Sequence, residues 1–185
     1  NPGFTHLAQY RDVEALNAAR ILAECGHSEA EILAILQAKS RDNARTPMQW
    51  DDSLHAGFTS GTPWIEVAAN YPELNAKQVI SRDNSIYQHY RKLSQLRKSS
   101  AAIVAGEYQI YFADDPQLYV YTRSLANEVI LVINNFYATS CNFTVPEALQ
   151  TYCEVEYLLN NYPEQPDNWQ QFTLRPYQSV VLLLQ

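Results

Sequence analysis

The chain has 185 residues, 46% hydrophobic and 18% charged, which is enough for one ordinary domain or two small ones with a sizeable core. Its uninterrupted apolar runs, such as Val180 to Leu184, fall far short of the roughly 20 residues that cross a bilayer, so no membrane association is expected. The net charge of −7 is uneven: residues 1–100 hold 11 basic and 11 acidic side chains, while residues 101–185 hold 2 and 9, a balance that repels a phosphate backbone and excludes nucleic acid as a partner.

The chain opens Asn1-Pro2-Gly3 with neither an initiator Met nor a basic-then-apolar leader, which suggests a fragment. Residues 12–22 have high helix propensity. Ser28 followed by Glu31 forms a capping box, and Ile32, Leu33, Ile35 and Leu36 supply an apolar stripe, so a second helix is predicted through about Lys39. Residues 51–81 are rich in Gly, Pro, Asn and Thr with no sustained period and predict a long ordered loop of the kind that carries function. From Asn84 to Arg97, Ile86, Tyr87, Tyr90, Leu93 and Leu96 recur at helical spacing and predict an amphipathic helix packed on something large.

Beyond Gly106 the texture changes to short runs rich in Tyr, Val, Ile and Thr, at about 107–112, 117–123, 128–135, 140–145, 153–159, 170–174 and 178–184. Asp114-Asp115-Pro116 and Asn160-Asn161-Tyr162-Pro163 have turn chemistry. These runs predict an antiparallel β-sandwich or Greek-key domain. The charge asymmetry and the change of period coincide, so two domains are expected, 1–103 and 104–185, in an α+β chain.

Cys25, Cys141 and Cys153 have no metal-ligand spacing, and an odd count without a secretion signal predicts reduced thiols in a cytoplasmic protein. No disulfide, metal or cofactor is expected.

The densest chemistry lies in Ser40 to Asp51, which holds Arg41, Arg45, Asp42, Asp51, Asn43, Gln49 and Trp50. Guanidinium groups can grip vicinal sugar hydroxyls or orient a carboxylate. Equally, both arginines can tie the loop down through Asp42 or Asp51. Helical spacing would align Arg41 with Arg45, but Thr46-Pro47 biases the segment toward extended structure, so presentation on a loop is predicted. Trp50, Trp64 and Phe58 have the stacking faces that pyranose rings use, although Trp64 is expected to be a mini-core anchor. Tyr108, Tyr111, Tyr119 and Tyr121 alternate at strand spacing and read as cross-strand packing. His6, His27, His55 and His89 are scattered with no nucleophile motif beside them, and Asp12, Asp42, Asp51 and Asp52 form no recognisable acid/base pair. No catalytic residue is assigned.

The run Ser40-Arg41-Asp42-Asn43-Ala44-Arg45-Thr46-Pro47-Met48-Gln49-Trp50 closely resembles the S-R-D-N-x-R-T-P-M-Q-W block of exo-acting α-glucosidases in the α-amylase superfamily. Tyr10 to Asn17, Ala56 to Ile65 and the 84–98 helix extend the resemblance to the branch of oligo-1,6-glucosidases and trehalose-6-phosphate hydrolases. The resemblance implies that residues 1–103 are the last loop and helices of a (β/α)8 barrel and that residues 104–185 are its C-terminal β-domain. It implies a retaining α-glucoside hydrolase whose nucleophile and acid/base carboxylates lie in motifs absent from this chain. By position, the family's substrate-binding arginine maps onto Arg41 or Arg45, and the expected partners are an α-glucoside and the rest of the barrel. An oligo-1,6-glucosidase, a non-catalytic scaffold of the same fold and a carbohydrate-binding relative remain alternatives.

Overall fold

The computed structural model describes residues 2–185, which divide into two compact units, the first ending at Gln88 and the second spanning His89–Gln185. In the first unit, α1 spans Val13–Glu24 and α2 spans Glu29–Lys39. The predicted capping box is present: Ser28 Oγ accepts from the Glu31 backbone N–H, and the Glu31 carboxylate accepts from the Ser28 N–H at 2.8 Å. These bonds satisfy backbone donors that the first turn of any helix leaves open.

Ile32 and Leu36 point into a small core with Phe4, Tyr10, Ala15 and Ile65, and Leu33 packs at its edge. Ile35 is exposed, so the stripe is narrower than its sequence suggested. The Phe4 ring meets the Tyr10 ring edge-on at 5.2 Å, and Ile65 brings the long loop onto this core. That loop contains a short 3₁₀ turn, Leu54–Gly57, and ends at α3, Ala76–Ser81.

The seven strands found among the described residues follow the predicted runs: β1 Glu107–Tyr111, β2 Leu118–Leu125, β3 Glu128–Asn135, β4 Cys141–Thr144, β5 Val155–Asn160, β6 Gln171–Leu174 and β7 Ser179–Leu184. All pair antiparallel, as a five-stranded sheet in the order β1-β2-β3-β7-β5 and a two-stranded sheet of β4 and β6. Val120, Ile133 and Leu182 from the larger sheet meet Phe143 and Leu174 from the smaller in one core. The predicted turns form as their side chains require. Asp115 Oδ1 accepts from the N–H groups of Gln117 and Leu118 at 2.8 and 2.9 Å, and Asn160 Oδ1 accepts from Tyr162 N–H at 3.2 Å.

The outer face of the five-stranded sheet is covered as well. Val129, Leu131 and Ile133 of β3 face the sandwich core, while Ile130 and Val132 face a second cluster with Ala102, Leu96, Ile103 and Val181. Both faces of the central strands are therefore buried, which explains why β7 reads as a continuous apolar run instead of an alternating one. Leu96 lies on α4, Ile86–Ser99, and Ala102 on α5, Ala101–Ala105. These helices pack on the sheet, and the second compact unit accordingly starts at His89.

The helix α5 was not predicted, since five residues are too few to show a period. It is held by Ser100 Oγ, which accepts from Ile103 N–H at 3.1 Å and donates to Glu128 at 2.5 Å. Of the apolar residues on α4, Leu96 is packed, Leu93 is partly exposed and Ile86 is 90% exposed.

Candidate substrate-binding site

The motif from Ser40 to Asp51 starts as the end of α2. Ser40 N–H completes the last helical bond to Leu36 O at 2.9 Å, and Ser40 Oγ then accepts from Asp42 N–H at 3.2 Å to open a 3₁₀ helix over Arg41–Ala44. Asn43 Nδ2 donates to Gln37 O at 2.8 Å, supplying a partner for a carbonyl that the end of α2 leaves open, and also reaches Leu36 O at 3.3 Å. The prediction of a loop is corrected here: the Ser40 side chain caps the start of a short helix, and Arg45 follows as its C-cap, its backbone N–H donating to Asp42 O.

Asp42 is fully buried, and its Oδ2 accepts from the backbone N–H groups of Arg11 at 2.7 Å and Asp12 at 2.9 Å. Tyr10 Oη and Asp42 Oδ1 are both buried without a hydrogen-bond partner among the described residues. Burial, and secondarily the negative charge of Asp42, push the Tyr10 hydroxyl above its ordinary pKa.

The arginines are tied down, but not by Asp42 or Asp51. Arg45 Nη1 reaches Asp12 Oδ1 at 3.5 Å, and Arg41 pairs with Glu14. A 3₁₀ helix turns every three residues, so positions four apart take different faces and find different partners. Asp12 is 10% exposed and its backbone is fixed by Asp42, whereas Glu14 is 68% exposed on a free helical surface. Apart from the long contact with Asp12, the Arg45 guanidinium makes no hydrogen bond among the described residues. The partnership of Arg45 with Asp12 and of Arg41 with Glu14 was not legible in the sequence, because the members lie 33 and 27 positions apart with no spacing rule to connect them.

Past the arginines the loop is held by its backbone. Trp50 N–H and Asp51 N–H donate to Ala56 O at 2.8 and 3.2 Å, while Ala76 N–H and Lys77 N–H donate to Gln49 O and Trp50 O at 2.8 and 3.0 Å. Ala56 and its neighbours His55 and Gly57 all have positive φ, at 57°, 54° and 65°. Asp51 accepts from Ser53 Oγ at 2.5 Å and Ser53 N–H at 2.8 Å, which holds its carboxyl below the usual range. Asp52 pairs with Lys77 at 3.2 Å. Trp64 is 65% exposed, so the expected mini-core anchor is Ile65 instead; Trp50 and Phe58 are exposed too.

Each acid near the motif thus has a structural partner, and none is paired with a second carboxylate in the manner of a glycosidase.

The second unit carries a groove of about 670 Å³ on the outer face of its five-stranded sheet, lined by Tyr108, Tyr119, Tyr121, Phe136, Leu93 and Arg123 among others. Its tyrosines contact one another: the Tyr119 and Tyr121 rings lie 5.2 Å apart, those of Tyr108 and Tyr121 lie 5.3 Å apart, and the Tyr108 and Tyr119 hydroxyls are 3.1 Å apart. Tyr111 packs against the sandwich core on the opposite face. Among the described residues, no helix is long and apolar enough to cross a membrane.

The family profile described as Alpha amylase, catalytic domain, matches residues 5–106, and that of the Alpha-amylase SusG C-terminal domain matches residues 118–181. The whole chain is 49% identical to a trehalose-6-phosphate hydrolase of Bacillus subtilis, and 99% of it is 43% identical to an oligo-1,6-glucosidase of Halalkalibacterium halodurans. It spans about one third of the length of each, 33% in both cases. Among solved structures, the trehalose-6-phosphate hydrolase of Bacillus licheniformis superposes with a TM-score of 0.90 at 48% identity, over 100% of this chain and 33% of that one. The trehalulose synthase of Pseudomonas mesoacidophila does so with a TM-score of 0.83 at 35% identity, over 98% and 33%. The chain therefore belongs to the α-amylase family of glycoside hydrolases, of whose curated members it matches a third.

Proposed function

We propose that this chain is the C-terminal portion of a cytoplasmic, retaining α-glucoside hydrolase, a trehalose-6-phosphate hydrolase that yields glucose and glucose 6-phosphate. In this reading residues 1–103 close the (β/α)8 barrel and residues 104–185 form its β-domain. The chain supplies a substrate-binding arginine and scaffold, while the nucleophile and acid/base carboxylates lie outside it. The observation that carries the assignment is Arg45: its anchor Asp12 is nearly buried and fixed through the backbone, yet its other N–H groups remain unbonded among the described residues. A preorganised guanidinium with spare donors is suited to gripping sugar hydroxyls. The engagement of Asp12, Asp42, Asp51 and Asp52 in structural contacts supports the absence of a nucleophile here. A cytoplasmic setting accords with the free thiols of Cys25, Cys141 and Cys153.

The higher identity to the trehalose-6-phosphate hydrolase than to the oligo-1,6-glucosidase, 49% against 43%, favours the phosphorylated substrate. Steady-state kinetics of the full-length protein on trehalose 6-phosphate and isomaltose test this. Preference for trehalose 6-phosphate is expected, preference for isomaltose would make it an oligo-1,6-glucosidase, and no hydrolysis of either would leave a scaffold. The 185-residue chain alone should hydrolyse neither, and turnover above a blank would refute the division of labour.

A further inference from the structure

We infer that Asp42 is a positioning residue for the sugar-binding arginine, acting on Arg45 through Asp12. The inference rests on the reading that Arg45 grips substrate, and goes beyond it by assigning a role to a side chain too deeply buried to touch substrate itself.

The connection is short and continuous. Asp42 Oδ2 accepts from Asp12 N–H at 2.9 Å and from Arg11 N–H at 2.7 Å, so one oxygen fixes two successive peptide units just before α1. Asp12 is the N-cap residue of α1, yet its side chain makes no capping bond. Its carboxylate is directed instead to Arg45 at 3.5 Å. A residue in the N-cap position ordinarily uses its oxygen on the helix; here the backbone clamp from Asp42 leaves that oxygen for the arginine.

The cost of the arrangement argues for a specific role. A buried carboxylate is expensive unless its oxygens are bonded, and Asp42 leaves Oδ1 without a partner beside the equally unpartnered Tyr10 hydroxyl. Covering this corner of the core calls only for an apolar side chain. Holding two backbone N–H groups and the entry to α1 in one geometry calls for an acceptor at this point.

The test uses the full-length protein carrying this chain, with α-glucoside kinetics and thermal midpoints measured on the same variants. Asp42→Ala should lower kcat/KM by about 10–100-fold, the size of effect that an ångström of misplacement produces. Asp42→Asn, which keeps an acceptor where Oδ2 stands, should recover to within about threefold of the parent. The double variant Asp42→Ala/Arg45→Ala should be no worse than Arg45→Ala, because both act on one interaction. If Asp42→Ala does not fold, Asp12→Asn, which leaves the Asp42 clamp intact, should show the same direction of loss. Parental kcat/KM in a folded Asp42→Ala variant, beside an impaired Arg45→Ala, would overturn the positioning role alone. Parental activity in Arg45→Ala would overturn the sugar-gripping reading and this inference with it.

Discussion

The carboxylate of Asp42 and the backbone N–H of Asp12 meet at 2.9 Å, and this bond joins the entry of α1 to the short helix that carries Arg41 and leads into Arg45. The two sides are 30 positions apart, so the bond is a tertiary constraint within the first unit. It separates the two arginines by the quality of their support: Arg45 faces an acid whose backbone is fixed, and Arg41 faces one on an exposed helical surface.

The arginines should accordingly behave differently. In the full-length protein, Arg45→Ala is expected to lower kcat/KM by about 10–1000-fold, equivalent to about 1–4 kcal/mol of transition-state stabilisation. Arg41→Ala should stay within about threefold of the parent and change stability by less than about 1 kcal/mol, as exposed ion pairs do. Kinetics and urea titration of both variants check this, and the reverse order of effects would transfer the sugar-binding role to Arg41.

The cap of α2 sets a pH dependence. Hydrogen bonds from the Ser28 backbone N–H first, and then its hydroxyl, hold the Glu31 carboxyl below its ordinary value of 4.5. A carboxyl with a lowered folded-state pKa stabilises the fold above the unfolded value and loses that contribution as pH falls through the folded one. Helix α2 should therefore loosen below about pH 4.5 and not near neutrality. Ser28→Ala should cost about 1 kcal/mol at pH 7 and flatten the acid limb of the melting curve. Circular dichroism melts from pH 7 to pH 3 on both proteins measure it; an unchanged acid limb in the variant would disprove the assignment.

Two glycines should resist alanine for different reasons. At Gly57, φ is +65° and a Cβ would sit 2.8 Å from Asp51 Oδ1, so backbone strain and a displaced carboxylate add together. At Gly106 the backbone is ordinary, but a Cβ would meet Ala102 O at 2.5 Å and Ser124 O at 2.9 Å, both main-chain atoms that cannot swing away. Each substitution should destabilise its own unit by about 1–3 kcal/mol. Hydrogen exchange would locate the loss in the loop for Gly57→Ala and in β1, β2 and α5 for Gly106→Ala.

Phe143 provides the check on the sandwich. It is fully buried in β4, with its ring 5.3 Å from that of Phe172 and 6.1 Å from that of Phe112. Truncation to Ala should cost about 3–5 kcal/mol, and a loss below about 1 kcal/mol in chemical denaturation would mean that the two sheets do not share a core.

Local rules made much of the chain legible. The Ser28–Glu31 box, the long helix ending near Ser99 and the seven strands were readable because capping, helical period and β-rich runs leave marks within a few residues of one another. Helix α5 escaped because one turn and a half has no period, and Trp64 was misjudged because a loop's sequence does not say which of two adjacent apolar residues turns inward; Ile65 does.

By itself, the sequence determined the longer helices and the strands, the family resemblance and the set of residues able to grip a sugar, since each depends on composition and short spacing. Only tertiary structure decided that Asp12 belongs to Arg45 and Glu14 to Arg41, that Asp42 spends its carboxylate on the backbone, and that α5 and the packed residues of α4 lie with the sheet. Those outcomes depend on which distant segments share a buried surface, and a buried hydrogen bond or a covered sheet face exists only once the chain has brought both sides together.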